Sequence, residues 1–281
     1  MSNRAFFKGQ IDGDSADDPR RFANRRLIFT AVALALIIAL SVRGTGFAQV
    51  PPQTTPSGSA AAQPLAQEAI QLASTGDYEG AISKLRAALE IEPEQHLLRF
   101  QLARLLASMG RFEEARAEFG TVVSALPGNS AARRGEITAL LLTDRYRDAR
   151  TKLEEGLSAL PRDGQLAHIL ARLLASAPDD EVRDGEMALR LALSVYEIKQ
   201  LYETAETLAM AYAETGNFDK ALEIQRGLVA RAEAEGDGTR QDSLSQRLDS
   251  YEKRQPWRAL SPVEIATSTE PPKPSDGSSG Q

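Results

Sequence analysis

Two histidines and one acidic run hold the side chains best suited to chemistry in this chain. His96 and His168 are the only imidazoles, and Asp179, Asp180, Glu181, Asp184 and Glu186 crowd into the stretch PDDEVRDGE. An imidazole acts as a base only with the reacting proton within hydrogen-bond reach. Neither histidine stands in an HExxH, P-loop or GxSxG context that would give it a partner, so both are read as helix-surface residues. The acidic run lacks the alternating ligands, the mid-loop glycine and the terminal glutamate of a calcium loop. With no cysteine in the chain, disulfides, Cys-zinc sites and thiol nucleophiles are removed together. The residues therefore point to no catalytic group, no metal site and no cofactor, and an enzyme is the weakest of the functional classes.

The elements around these residues are helical. The 281-residue chain is rich in alanine and leucine and poor in aromatics, residues that lose little rotamer freedom in a helix. Its net charge of −6 argues against nucleic acid, whose binders show a basic domain.

One sentence is written three times. GDYEGAISKLRAALEIEP begins at Gly76, GRFEEARAEFGTVVSALP at Gly110 and DRYRDARTKLEEGLSALP at Asp144, each copy 34 residues after the last. Ala81, Ala115 and Ala149 share one repeat position. Leu85, Phe119 and Leu153 follow four residues later, and Ala88, Val122 and Gly156 three further on. Spacings of four and three place these positions on one helical face, and small residues there let a neighbouring helix approach closely. Pro93, Pro127 and Pro161 close each helix, since proline lacks an N–H and disfavours helix in the residue before it. A second amphipathic stripe lies upstream of each copy: Leu65, Ala69 and Leu72; Leu102, Ala103 and Leu106; Ile137 and Leu140. Tight turns at Gly76-Asp77, Gly110-Arg111 and Asp144-Arg145 join the two helices, each followed by an aromatic ring at Tyr78, Phe112 and Tyr146.

Period, small residues, aromatic and closing proline together resemble the tetratricopeptide repeat (TPR), a 34-residue helix–turn–helix unit. The resemblance spans about residues 62–233. It departs at the aromatic near the start of the first helix, where Leu65, Arg99 and Arg133 stand, and at the leucine-glycine pair, approximated by Leu102-Ala103. It implies an all-α, right-handed solenoid of about five helix pairs over 62–255. The units are 62–95, 96–129, 130–163, 164–201 and 202–235, followed by a capping helix at 243–254. Five extra residues within PDDEVRDG stretch the fourth unit, and the fifth, which has lost its proline, runs to about Glu235. Such units stack because one helix pair cannot bury its apolar face alone. Residues 256–281, rich in Pro, Ser and Gly, are read as a disordered tail.

In the family the resemblance points to, the first helix of each pair lines a concave groove that binds a protein or peptide partner. Carried over by position, that face holds Phe100 and Arg104 in unit two, and Arg134 and Thr138 in unit three. His168 and Arg172 follow in unit four, and Glu203, Glu206 and Met210 in unit five. Arg104, Arg134 and Arg172 would form a basic stripe for a carboxylate-bearing segment, since guanidinium pairs bidentately with carboxylate. Phe100 would be an apolar anchor. The other reading of these charges is a solvated helix surface. Ala66 and Ile70 stand where chaperone-tail binders of the family carry lysine and asparagine, so the partner is of another kind.

Ahead of the repeats, Leu27 to Val42 runs sixteen residues without a charge, between Arg25-Arg26 and Arg43. A spanning helix usually has about 20 apolar residues and a signal-peptide core about 7–15. Two readings stay open: an uncleaved anchor at 27–43, or a signal cleaved after Ala48. Basic residues before the run keep residues 1–26 inside and place the repeats outside, periplasmic in a Gram-negative cell. Residues 44–61, rich in Pro, Ser, Thr and Gln, are a linker. The functional expectation is a non-enzymatic protein–protein interaction scaffold of the cell envelope, serving in assembly of an envelope complex. The alternative is a structural subunit that self-associates through its end faces.

Overall fold

The structure, a computed structural model, describes residues 62–259 and 262–266. Residues 1–61, with the expected N-terminal tail, hydrophobic segment and linker, lie outside the described residues. Among those described there are twelve helices and no strand. They form consecutive pairs: α1 (Ala62–Ser74) with α2 (Tyr78–Ile91), α3 (His96–Ser108) with α4 (Phe112–Ala125), and α5 (Ser130–Leu142) with α6 (Tyr146–Ala159). Then come α7 (Gly164–Ser176) with α8 (Gly185–Ile198) and α9 (Tyr202–Glu214) with α10 (Phe218–Glu235). Two further helices, α11 (Gly238–Glu252) and α12 (Pro262–Ala266), complete the set. Each helix packs on the next in chain order as far as α11, and first helices also meet across units, α3 on α5 and α7 on α9. This is an all-helical solenoid of the expected kind.

The repeat alanines explain the close stacking. Ala81, Ala115 and Ala149 are wholly buried, as are Ala188 and Ala221 at the same position of units four and five. Each intra-unit turn uses one left-handed residue: Gly76, Gly110, Asp144 and Gly216, with φ of 87°, 74°, 59° and 79°. That geometry favours glycine and tolerates aspartate. It lets the following N–H reach back across the turn, from Asp77 to Leu72 O, Arg111 to Leu106 O, Arg145 to Leu140 O and Asn217 to Tyr212 O, at 2.8–2.9 Å. In unit four the longer PDDEVRDG loop replaces this turn. It buries Val182 and ends on Asp184, whose carboxylate accepts the Met187 N–H and caps α8.

The missing first-helix aromatics are replaced by guanidinium groups. Arg99 Nη2 donates to Pro93 O and Arg133 Nε to Pro127 O, both at 2.9 Å. Each arginine thus bridges its helix to the proline turn just before it.

Two boundaries differ from the sequence reading. The capping helix α11 starts at Gly238, five residues earlier than expected, because Asp237 caps it by accepting the Arg240 N–H. It is held to α10 by the buried Gln225, whose Nε2 donates to Leu244 O at 2.7 Å. The second difference is larger. Residues 256–259 and 262–266, read as part of a disordered tail, pack on the fold, with Ala259 and Ile265 buried. The short helix α12 lies against α5 and α7, first helices of units three and four. The physical reason is local: Trp257, Ala259 and Ile265 belong to or pack against the apolar cores, so this stretch carries apolar anchors that its Pro- and Ser-rich surroundings conceal.

Candidate functional site

The first-helix face divides into an open part on α1 and α3 and a covered part on α5, α7 and α9. On the open part Ile70 is 59% exposed and Leu97 65%. Phe100 is half-buried and stands edge-on to Phe119, with ring centroids 5.7 Å apart and planes at 64°. The Arg104 guanidinium lies 5.9 Å from the centroid of the Phe100 ring, a cation–π contact that leaves its N–H groups for other partners. At the border, Arg134 Nη1 donates to Ser130 Oγ at 2.6 Å, and Thr138 is half-buried.

The covered part is a packed, charged layer. His168, expected at a helix surface, is buried. Its Nε2 lies 2.8 Å from Thr207 Oγ1 and 3.2 Å from Glu203 O, so α9 covers a side chain that an open repeat would expose. Met210 is also buried, within the cluster that contains Ile137, Leu141, Ile169 and Ile265. Arg172 and Glu206 pair at 3.1 Å. Glu206 also takes Arg247 Nη1 of α11 at 3.1 Å, and Arg247 Nη2 reaches Glu264 Oε1 of α12 at 2.7 Å. The four charges thus alternate along one line, Arg172–Glu206–Arg247–Glu264. Trp257 Nε1–H donates to the same Glu264 oxygen at 2.7 Å, and the Arg247 guanidinium sits 5.0 Å from the Trp257 ring centroid. Beside it, Arg258 Nη1 donates to Glu214 Oε2 at 2.6 Å, and the Ala259 N–H donates to Ser176 O at 2.8 Å.

The three arginines of the expected stripe are therefore placed differently. Arg104 faces the open part, Arg134 is held at its edge and Arg172 is buried in the ion-pair line. Arg172 Nε and Nη1 and Arg247 Nε are buried without a hydrogen-bond partner, so donor capacity remains in the covered layer. Sequence reasoning missed Arg247, Trp257, Glu264 and Ile265. Signals for them were present. The lone tryptophan is followed by Leu260, Val263 and Ile265 within the tail, and Ser261-Pro262-Val263-Glu264 follows the S-x-x-E pattern that opens a helix, with proline in the first turn.

Among the described residues no group of three or more His, Cys, Asp or Glu side chains is placed to hold a metal ion. The acidic loop is spent on ion pairs, Arg147 with Asp179 at 2.9 Å and with Glu181 at 2.7 Å. Among the described residues no helix is long and apolar enough to cross a membrane.

Comparison with known proteins agrees with this geometry. Two family models, each described as tetratricopeptide repeat, match residues 72–126 and 100–163. Among solved structures, a MamA fragment (41 to the end) from Desulfovibrio magneticus RS-1 is 17% identical, with a TM-score of 0.55 over 63% of this chain and 98% of that one. A tetratricopeptide repeat protein from Parabacteroides merdae ATCC 43184 is 15% identical, with a TM-score of 0.58 over 69% of this chain and 75% of that one. YrrB, described as a TPR protein with an unusual peptide-binding site, is 19% identical, with a TM-score of 0.53 over 66% and 92%. At these identities the likeness speaks for the fold alone. No curated protein matches the chain in sequence. Residues 72–163 are tetratricopeptide repeats, and the helical stack that contains them has the fold of such proteins.

Proposed function

We propose that the chain is a non-enzymatic interaction scaffold of the cell envelope. It is held by the hydrophobic run at 27–42, with its repeats on the outer side of the membrane, and it binds a protein or peptide segment along the first-helix face. Tetratricopeptide repeats serve in general as protein-interaction scaffolds, and YrrB shows the same fold carrying a peptide site. The observation that carries the reading is that the face already accepts a short stretch of chain. Residues 257–259 and 262–266 lie on α5, α7 and α9 through the buried Ala259 and Ile265, the Arg258–Glu214 ion pair and one backbone hydrogen bond, and Glu264 takes Arg247 of the adjoining α11. A surface that takes its own chain by these contacts has the chemistry to take another. The open part, with Ile70, Leu97, Phe100 and Arg104, extends the same face, and Arg104 and Arg134 give a partner's carboxylates two guanidinium groups.

Site-specific photo-crosslinking in intact cells tests this. A photoreactive residue at Leu97 or Arg104 should trap one discrete partner, and the same residue at Glu90, exposed on the second helix α2, should not. Equal trapping at all three positions, or none, refutes the assignment of the face.

A further inference from the structure

Residues 257–259 and 262–266 do not belong to the repeat stack; they return to it from beyond the cap. The helix α12 has five residues, far below the length at which a helix holds itself in water, so its order comes from the face beneath it. The anchors of the returning segment are Ile265 and Ala259, both buried; Glu264, shared by Arg247 and the Trp257 indole N–H; Arg258 on Glu214; and the Ala259–Ser176 backbone bond. The site is also not saturated by this occupant. Arg172 Nε and Nη1 and Arg247 Nε stay buried without acceptors, and a carboxylate able to reach both guanidinium groups would satisfy donors that Glu264 leaves open. An ion pair in such a layer contributes little net affinity over its desolvation cost. The occupant is therefore placed by its charges, Glu264 and Arg258, and retained mainly by the apolar contacts of Ile265, Ala259 and Trp257 and by its tether.

We propose that residues 257–259 and 262–266 are a built-in occupant of the α5–α7–α9 face. A partner segment of the same chemistry, an aliphatic residue beside a carboxylate, gains that face only by displacing it. This rests on the reading of the first-helix face as a recognition surface, and it adds that half of that surface is closed in the free chain. The tether sets the degree of closure. A short linker supplies an effective concentration of about 1 mM. Against a segment that binds in trans at about 100 µM, this masks the site about tenfold.

The test uses the full-length chain and a fluorescein-labelled synthetic peptide of residues 256–268. Two variants open the face by different routes: Ile265→Asp removes the aliphatic anchor, and Glu264→Arg sets like charge against Arg247. Trp257 is the only tryptophan, so acrylamide quenching measured without peptide reports its release directly. Each variant should show stronger quenching, unchanged helical content by circular dichroism and about tenfold tighter peptide binding by anisotropy than the unmodified chain. A peptide carrying Ile265→Asp should fail to bind either. Equal peptide affinity for all three chains, or quenching that does not change, overturns the proposal. Loss of helical content in both variants also overturns it, because the segment is then part of the core. If only one variant loses helix, the other decides. None of these readouts involves the cellular partner, so a negative crosslinking result leaves them intact and the two failures are told apart.

Discussion

Gly135 offers a sharp test of how the face is supported. It sits in the interior of α5, where alanine is ordinarily favoured over glycine by about 1 kcal/mol. A Cβ at this position would lie 2.5, 2.6 and 2.7 Å from Cζ, Cε2 and Cε1 of Phe119. Carbon atoms pack best at about 3.5–4.0 Å, so the ring would have to retreat by about 1 Å. Phe119 is buried and braced edge-on against Phe100, so it has little room to yield, and overpacking of this kind costs about 1–3 kcal/mol. After the propensity gain, Gly135→Ala should destabilise the protein by about 1 kcal/mol. Gly227, inside α10, has no atom within 4 Å of its virtual Cβ, and Gly227→Ala should stabilise by about 0.5–1 kcal/mol. Urea unfolding at neutral pH, followed by circular dichroism, should therefore move the two midpoints in opposite directions. In a Phe119→Leu background the Gly135→Ala change should turn stabilising. If Gly135→Ala stabilises the unmodified chain as much as Gly227→Ala does, the Phe119 ring does not rest on α5 and the support assigned to Phe100 is wrong.

Glu136 should give a pH signature. Burial raises its carboxyl above the ordinary value of 4.5 despite the opposing charge of Lys152. Below pH 4.5 both folded and unfolded states hold the proton, and stability is lost as pH rises through the raised folded value. Glu136→Gln should thus leave stability unchanged at pH 4 and increase it at pH 7, as read from urea midpoints. Glu206, between Arg172 and Arg247, should be costly to neutralise: Glu206→Gln leaves two buried guanidinium groups facing one remaining carboxylate, a loss of about 3 kcal/mol. Glu252→Gln, which removes an exposed pair with Arg226, should cost less than about 0.5 kcal/mol in the same denaturation assay.

The parts of this molecule that were legible in advance are those where geometry restricts residue type. A buried alanine such as Ala115 is required because only a small side chain lets two helix axes approach, and Gly110 because its turn needs a positive φ. Such positions recur at the 34-residue period and reveal the stack. The site was less legible because its decisive contacts obey no period. Arg172 occupies the same repeat position as Arg104, yet one is buried in a line of ion pairs and the other overlies Phe100. Arg172 meets Glu206 of α9, where the same position after Arg104 is Thr138, and the return of residues 257–259 and 262–266 together with α11 closes the layer. That return depends on Trp257, Glu264 and Ile265, scattered in a stretch whose overall composition is that of a chain unable to bury a core. His168 was misplaced for a related cause: its helix register is as expected, but Thr207 and Glu203 of α9 cover it.

The makeup of the covered layer bears on whether it opens. An apolar seam of similar volume would often be as stable as a buried ion-pair line or more so, so the charges are poorly explained as stabilisers. They have a different effect. When α12 leaves, Arg247 and Glu206 regain water, and the hydration they recover offsets much of the attraction given up. An apolar seam would instead expose surface at about 25 cal/mol per Å² with nothing to offset it. Alternating charge also penalises wrong registers, since a carboxylate set beside Glu206 instead of Arg247 meets like charge. A layer built in this way holds its occupant in one position while keeping the difference between open and closed small, which is the condition for a competing segment to shift the balance.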